Sequence, residues 1–304
     1  MERRQRQSRT GATGGTVVTG LMAWVCLTAT ALATTGCSPD RPTGRPAPAP
    51  TTAPATAPAS ADARPAADPV PVLRGAADAL VGAGSSKART SMEMATGGTR
   101  VTIRGEGVYD FTRRLGELRV RLPQDPAGQD ERRPITELLA PGALFMKNRG
   151  AGVPADKWVR VETAGLPDGN LVTGGATDPF AAAEVLRGTR EARYVGETEV
   201  DGTAVRHYRG TADLALAAKN AGEGGRGALD AAAKGFATPE VPFEVFLDDA
   251  GRIRKVQHRF SYDGGRETGA VAVASTTLLY DFGAPVEVEL PERADIYAGR
   301  IAEE

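Results

Sequence analysis

Cysteine is almost missing from this 304-residue chain: Cys26 and Cys37 are the two that occur, both near the N-terminus. Everything downstream of Cys37 therefore has no disulfide, no thiol nucleophile and no cysteine-based metal site. Stability there must come from a hydrophobic core, which a chain of this length can bury. Histidine is as scarce. His207 and His258 are the only two and show no His-x-x-x-His spacing, so they offer no metal set. Neither sign of charge dominates: 37 Lys+Arg against 38 Asp+Glu gives a net charge of −1, which argues against nucleic acid as a partner. A Gly-x-Ser-x-Gly elbow is lacking, and no segment displays paired carboxylates in a glycosidase-like context, so no catalytic residues are assigned. A βαβ rhythm is lacking too. Gly222-Glu223-Gly224-Gly225-Arg226-Gly227 spells G-x-G-x-x-G, but a helical run, Leu214–Lys219, precedes it where a dinucleotide fold needs a strand. It reads as a flexible break between two helices, and no cofactor is implied.

What is present begins with a leader. Arg3, Arg4, Arg6 and Arg9 form a basic region, Val17–Ala33 an apolar one, and Gly36 supplies a small residue before Cys37. The apolar run is interrupted by Thr19, Gly20, Thr28 and Thr30 and is short for a transmembrane span. Leu32-Ala33-Thr34-Thr35-Gly36-Cys37 resembles a bacterial lipobox, with Thr34 where leucine is usual. The resemblance implies cleavage before Cys37 and diacylglyceryl attachment to its thiol. Two acyl chains hold a protein stably on a membrane where one does not. Cys37 is thus the expected lipidation site, and the outer face of the cell membrane the expected location. Loss of the leader, with its four arginines and Glu2, shifts the net charge from −1 to −4.

The expected organisation is a signal peptide at 1–36, a lipidated Cys and linker at 37–71, and a globular domain at 72–304. From Ser38 to Pro71 the chain is dominated by Pro, Ala and Thr, with no aromatic residue. Such a segment cannot bury enough apolar surface to offset its chain entropy. It reads equally as a stalk through the cell wall or as a neutral spacer.

The domain reads as α+β with an antiparallel sheet. Helical spacing of Val72, Leu73, Ala76, Ala77, Leu80 and Val81 predicts a helix over 72–81. Strands are expected on both sides of Gly97-Gly98, over 115–122, 144–147 and 157–162. In the third of these, Leu118, Val120 and Leu122 alternate with Glu117, Arg119 and Arg121, which makes it half-buried. Asp178-Pro179 opens a helix that stops at Gly188. Asp201-Gly202 joins Arg193–Val200 to Thr203–Gly210 as a type I′ hairpin, placing Glu197 opposite Arg206. The buried face of that hairpin is undecided: Val195 and Tyr208 claim one side, Tyr194, Val200 and Val205 the other. Helices over 214–220 and 228–235 precede strands at 241–247 and about 253–262, joined by a turn at Asp249-Ala250-Gly251. Asp248-Asp249 reads as a hairpin tip, or as a weak calcium site. A last strand runs over 270–282, and Val286–Leu290 continues it.

Two stretches carry a resemblance. Asp178-Pro179 … Leu186 … Val195-Gly196 … Val200-Asp201-Gly202 … His207-Tyr208, and the tail Leu278-x-Tyr280-x-Phe282-Gly283-x-Pro285-Val286-x-Val288-x-x-Pro291, are similar to the LppX/LprAFG lipoproteins of actinobacteria, within the LolA/LolB-like superfamily. The resemblance implies a curved antiparallel half-barrel around an apolar cavity, with helices from Asp178–Arg187 and Leu214–Lys234 covering the concave side. It also implies a non-enzymatic protein that binds an acylated lipid or glycolipid for transport or presentation in the cell envelope. The expected cavity lining is Leu118, Val120, Leu122, Leu144, Met146, Val159, Val161, Phe180, Leu186, Phe243 and Val245; taken singly, each reads first as ordinary core, and only a lined void would set them apart as a group. Arg119, Arg121, Arg132 and Arg133 either meet a headgroup or keep a face wet. The expected partners are the lipid, the membrane through Cys37 and, on the sensor reading, an envelope protein. A monomer is expected, as is no metal. The alternative is an envelope sensor or interaction module on the same fold.

Overall fold

A computed structural model describes residues 68–96, 99–123, 133–150, 152–263 and 270–299. The leader, Cys37, the linker before Asp68, Gly97-Gly98 and Arg132 lie outside the described residues. The described residues belong to one compact unit with its own core. Among the described residues, no helix is long and apolar enough to cross a membrane.

The unit opens with two short helices, α1 (Pro69–Arg74) and α2 (Ala76–Ala83), where the sequence predicts one. The Asp68 carboxylate accepts from Val70 N at 3.0 Å and Pro69 fits the first turn, so the helix starts earlier than its apolar spacing suggests. Gly75 separates the two helices. The strands are β1 (Ser85–Thr96), β2 (Thr99–Asp110), β3 (Leu115–Arg121), β4 (Ile135–Ala140), β5 (Ala143–Lys147) and β6 (Val159–Glu162). After helix α3 (Pro179–Val185) come β7 (Thr189–Val200), β8 (Thr203–Asp213), α4 (Leu214–Asn220), α5 (Glu223–Gly235), β9 (Glu240–Leu247), β10 (Ile253–Asp263) and β11 (Ala270–Tyr280). All eleven strands form one open sheet, ordered β6-β5-β4-β3-β2-β1-β11-β10-β9-β8-β7, with every neighbouring pair antiparallel. It is a curved α+β half-barrel whose inner face is covered by helices.

Topology explains the cover. β6 and β7 are consecutive in the chain yet occupy opposite edges of the sheet. The intervening residues 163–188 must therefore cross one face, and they bring α3 with them. Asp178 caps α3 as expected, accepting from Phe180 N at 2.7 Å and Ala181 N at 3.2 Å.

Two expectations need correction, the tail and the glycine-rich run, and two segments that the sequence left unread or undecided are resolved. β4 carries no clean alternation because it is buried on both faces. Leu139 joins the main core, while Leu138 packs with Leu115, Ala143, Phe145 and Val288 on the other side. Val286–Leu290 does not continue the last strand. Gly283, at φ +81°, turns the chain, and its N–H donates to Ser85 O; the tail then seats Val288 in that outer cluster. The glycine-rich run after Gly222 is no flexible break but the first turns of α5. Finally, the β7–β8 hairpin has both turn residues at positive φ (Asp201 +48°, Gly202 +75°) and Glu197 opposite Arg206, as predicted. Its face was unreadable because a bulge between Tyr194 and Gly196 shifts the phase of β7; on β8, Tyr208 joins the main core, while Val205, also buried, lies on the other face.

Candidate functional site: an apolar cleft beside β1–β5

The inner face is assembled by register. Leu118, Glu137, Met146 and Val159 stand side by side across β3, β4, β5 and β6. Val120 pairs with Ile135, and Leu139 with Leu144. Leu118, Val120, Leu144, Leu186 and Val245 are fully buried there; Met146, Val159, Phe180 and Phe243 are buried, and Leu122 and Val161 half-buried. All eleven belong to, or pack against, one core.

Two openings interrupt that core. A cavity of about 50 Å³ lies between α3, α5 and the β2–β5 side of the sheet, with Tyr109, Phe180 and Leu229 in its wall. It has room for a few waters at most. The second is a cleft of about 660 Å³, walled by Met94, Ile103, Leu122, Ile135, Val153 and Val172 together with Arg133 and Arg149. That volume falls among small-molecule sites, roughly 300–1,000 Å³. Of the residues expected to line a lipid cavity, Leu122 lines the cleft and Phe180 the small cavity. The other nine lie in or against the core and line neither.

Residues that sequence reasoning did not single out build the cleft wall. Asp168, buried, holds the crossing loop: Asn170 N (3.1 Å) and Thr173 Oγ1 (2.9 Å) donate to its Oδ1, and Val172 N (2.7 Å), Thr173 N (2.6 Å) and Tyr262 Oη (3.0 Å) to its Oδ2. Thr177 Oγ1 donates to Leu171 O at 2.8 Å, and Gly174 N to Asn170 Oδ1 at 3.0 Å. Val172, Thr173 and Gly175 are thereby fixed as one wall of the cleft. The only sequence hint is the Pro-Asp-Gly-Asn turn at 167–170. Arg149 clamps the same loop, donating from Nη1 to Gly174 O and from Nη2 to Thr173 O, both at 3.2 Å.

Glu137 is the unusual group. It is fully buried, and neither carboxyl oxygen has a hydrogen-bond partner among the described residues. Burial pushes it up to about 8 against the pull of the Arg149 charge, so it is largely protonated at neutral pH. Beside the small cavity, burial also raises Asp178 to about 6, against the hydrogen bonds from Ala181 N, Phe180 N and the Tyr109 hydroxyl.

The two histidines lie apart. His207 faces outward, its Nε2 3.1 Å from Glu244 Oε2 and its ring 4.2 Å from that of Phe246. His258 is buried on the inner face, where burial lowers it to about 3. Among the described residues, no group of three or more potential metal-binding side chains converges. Asp248 is taken up by its own turn, accepting from Ala250 N, Arg252 N and Arg252 Nε. Arg119 and Arg121 are exposed on the outer face near Glu117 (3.8 Å) and Glu106 (3.7 Å); Arg133 instead borders the cleft.

No family model matches the chain, and no curated protein does. Among solved structures it is similar to the Mycobacterium tuberculosis lipoprotein LppX, at 13% identity over 72% of this chain and 97% of that one, with a TM-score of 0.39. It is also similar to LprF from Mycobacterium bovis, at 15% identity over 73% of this chain and 96% of that one, with a TM-score of 0.36. A LolA superfamily protein from Nitrosomonas europaea shares 12% identity over 76% of this chain and 99% of its own, with a TM-score of 0.32.

Proposed function

We propose that this protein is an extracytoplasmic lipoprotein, anchored through an acylated Cys37, that holds the acyl chain of a lipid or glycolipid in the cleft and carries or presents it without catalysis. Residues 1–36 act as the leader, and the following Pro/Ala/Thr-rich segment as the tether. The observation that carries the reading is the cleft itself: about 660 Å³ walled by Met94, Ile103, Leu122, Ile135, Val153 and Val172. Each CH₂ taken from water into such a wall is worth about 0.8 kcal/mol, so a long chain binds without polar recognition. Of the residues expected to meet lipid, Leu122 takes that role.

The test is native mass spectrometry of the chain from Ser60 onward, before and after organic extraction. The expected result is lipid mass that extraction removes. A bare polypeptide mass, with no uptake of a fluorescent fatty acid or phospholipid analogue, overturns the proposal. Intact mass of the full chain isolated from membranes tests Cys37: acyl mass on that residue is expected, and an unmodified thiol refutes the anchor.

A second reading, a protein-interaction module, draws on one observation. Edge strand β7 exposes Tyr194 (43%) and Val195 (42%) to solvent, the sort of apolar edge that receives a partner. Tyr194→Ser with Val195→Ser leaves lipid uptake unchanged if the cleft is the functional site.

A further inference from the structure

We infer that the cleft selects an anionic amphiphile: its apolar wall takes the acyl chain, while Arg133 and Arg149 take a phosphate on the headgroup. This rests on the reading of the cleft as a lipid site and adds the chemical class of the ligand.

Among the described residues, the charge lining the cleft is of one sign. Arg133 and Arg149 border it, and among the described residues no Asp or Glu does. Elsewhere the described arginines often face a carboxylate: Arg160 faces Glu162, Arg187 faces Asp78, Arg190 faces Asp213 and Arg252 faces Asp248. At the cleft, Arg149 instead spends two N–H groups on the carbonyls of Thr173 and Gly174. Those bonds hold the guanidinium in place, and among the described residues no carboxylate forms an ion pair with it, which is the arrangement a preorganised anion site requires. A guanidinium suits phosphate because its planar fork donates two parallel hydrogen bonds.

The one acid behind this wall does not cancel the charge. Glu137 lies under Gly174, sealed from the cleft by the crossing loop. Its burial keeps it protonated at neutral pH. Low-dielectric walls then focus the field of the two arginines into the opening. A neutral lipid of the same chain length gains the apolar contacts and nothing from either guanidinium.

The test compares three probes on the chain from Ser60 onward: dioleoyl phosphatidylglycerol, dioleoylglycerol and inorganic phosphate, each competing against a fluorescent fatty-acid analogue. The phosphatidylglycerol is expected to bind about tenfold more tightly than the diacylglycerol, equivalent to ~1.4 kcal/mol. Arg133→Gln with Arg149→Gln should erase that preference, read as the ratio of the two lipid affinities within each variant. Arg149→Lys, which keeps the charge, should restore part of it, and added salt should shrink it. Equal affinity for the two lipids, or a preference that survives the double substitution, overturns the inference and leaves the lipid reading standing. Binding of neither lipid overturns both. Full displacement of the analogue by inorganic phosphate alone shows a phosphate site without an amphiphile, and also overturns it. Circular dichroism of each variant separates loss of fold from loss of recognition; if Arg149→Gln unfolds, Arg133→Gln alone must still reduce the preference.

Discussion

The carboxyl of Glu137 lies directly beneath Gly174: a Cβ added at that glycine would stand 3.2 Å from Oε1 and 3.4 Å from Oε2. A strand residue and a residue of the crossing loop thus meet where the sheet's inner face turns into the cleft wall. The loop's glycine lets its backbone close over an acid that has no hydrogen-bond partner among the described residues.

That burial has a pH signature. Glu137 binds its proton more tightly folded, at about 8, than unfolded, near 4.5. The stability this contributes is whole below the unfolded value and is lost as pH rises through the folded one, at up to ~1.4 kcal/mol per pH unit. Arg149 pulls the folded value down and Asp178 pushes it up, so both shift the window. Glu137→Gln is expected to gain on the parent protein from about pH 5 to about pH 8 in urea unfolding. Parallel stability curves for the two would refute the assignment.

His258 gives the opposite limb. Its folded value, about 3, lies below the ordinary 6.5. The neutral form is favoured in the fold, and stability is lost as pH falls through that interval. Its buried Nε2 has no partner among the described residues, so an apolar replacement removes an unsatisfied group. Thermal unfolding of His258→Leu should show a flattened acid limb between about pH 6 and about pH 4; superimposable limbs would contradict this.

Core and cleft separate by mutation. Leu118→Ala, at a fully buried position, should cost about 2–5 kcal/mol. Leu122→Ala, half-buried and bordering the cleft, should cost much less stability yet weaken uptake of a fluorescent fatty acid. If Leu122→Ala binds the probe as the parent does, the cleft is not where the chain sits.

Two glycines in helices should respond with opposite sign. Gly225, in α5, packs against Glu184, and a Cβ there would collide with Oε2. Gly225→Val should cost roughly 1–3 kcal/mol by overpacking. Gly82, in α2, has nothing within 4 Å of the added atom. Gly82→Ala should stabilise by about 0.5–1 kcal/mol, since it lowers the entropy of the unfolded chain. Denaturant midpoints of both variants check the pair.

Much of the architecture was readable where the cause is local. Asp178-Pro179 fixes a helix start because cap and first turn are consecutive in the chain. Asp201-Gly202 fixes a hairpin because both residues take positive φ. Strand β3 is readable because one face is dry and the other wet, so its alternation survives. β4 is not, because Leu138 and Leu139 are buried on opposite faces and Glu137 sits inside. The bulge at Tyr194–Gly196 defeats the face of β7 for a related reason: one extra residue resets the period.

The chain's own order of residues thus determined element types and hairpin turns, since each depends on neighbours a few positions apart. The folded arrangement decided which apolar side chains border empty space. Met94, Leu122, Ile135, Val153 and Val172 come from five separate segments, and a void is what remains after distant segments have packed. No periodicity within one segment records it, so Leu118 and Leu122, four residues apart in the same alternation, end as sealed core and open wall.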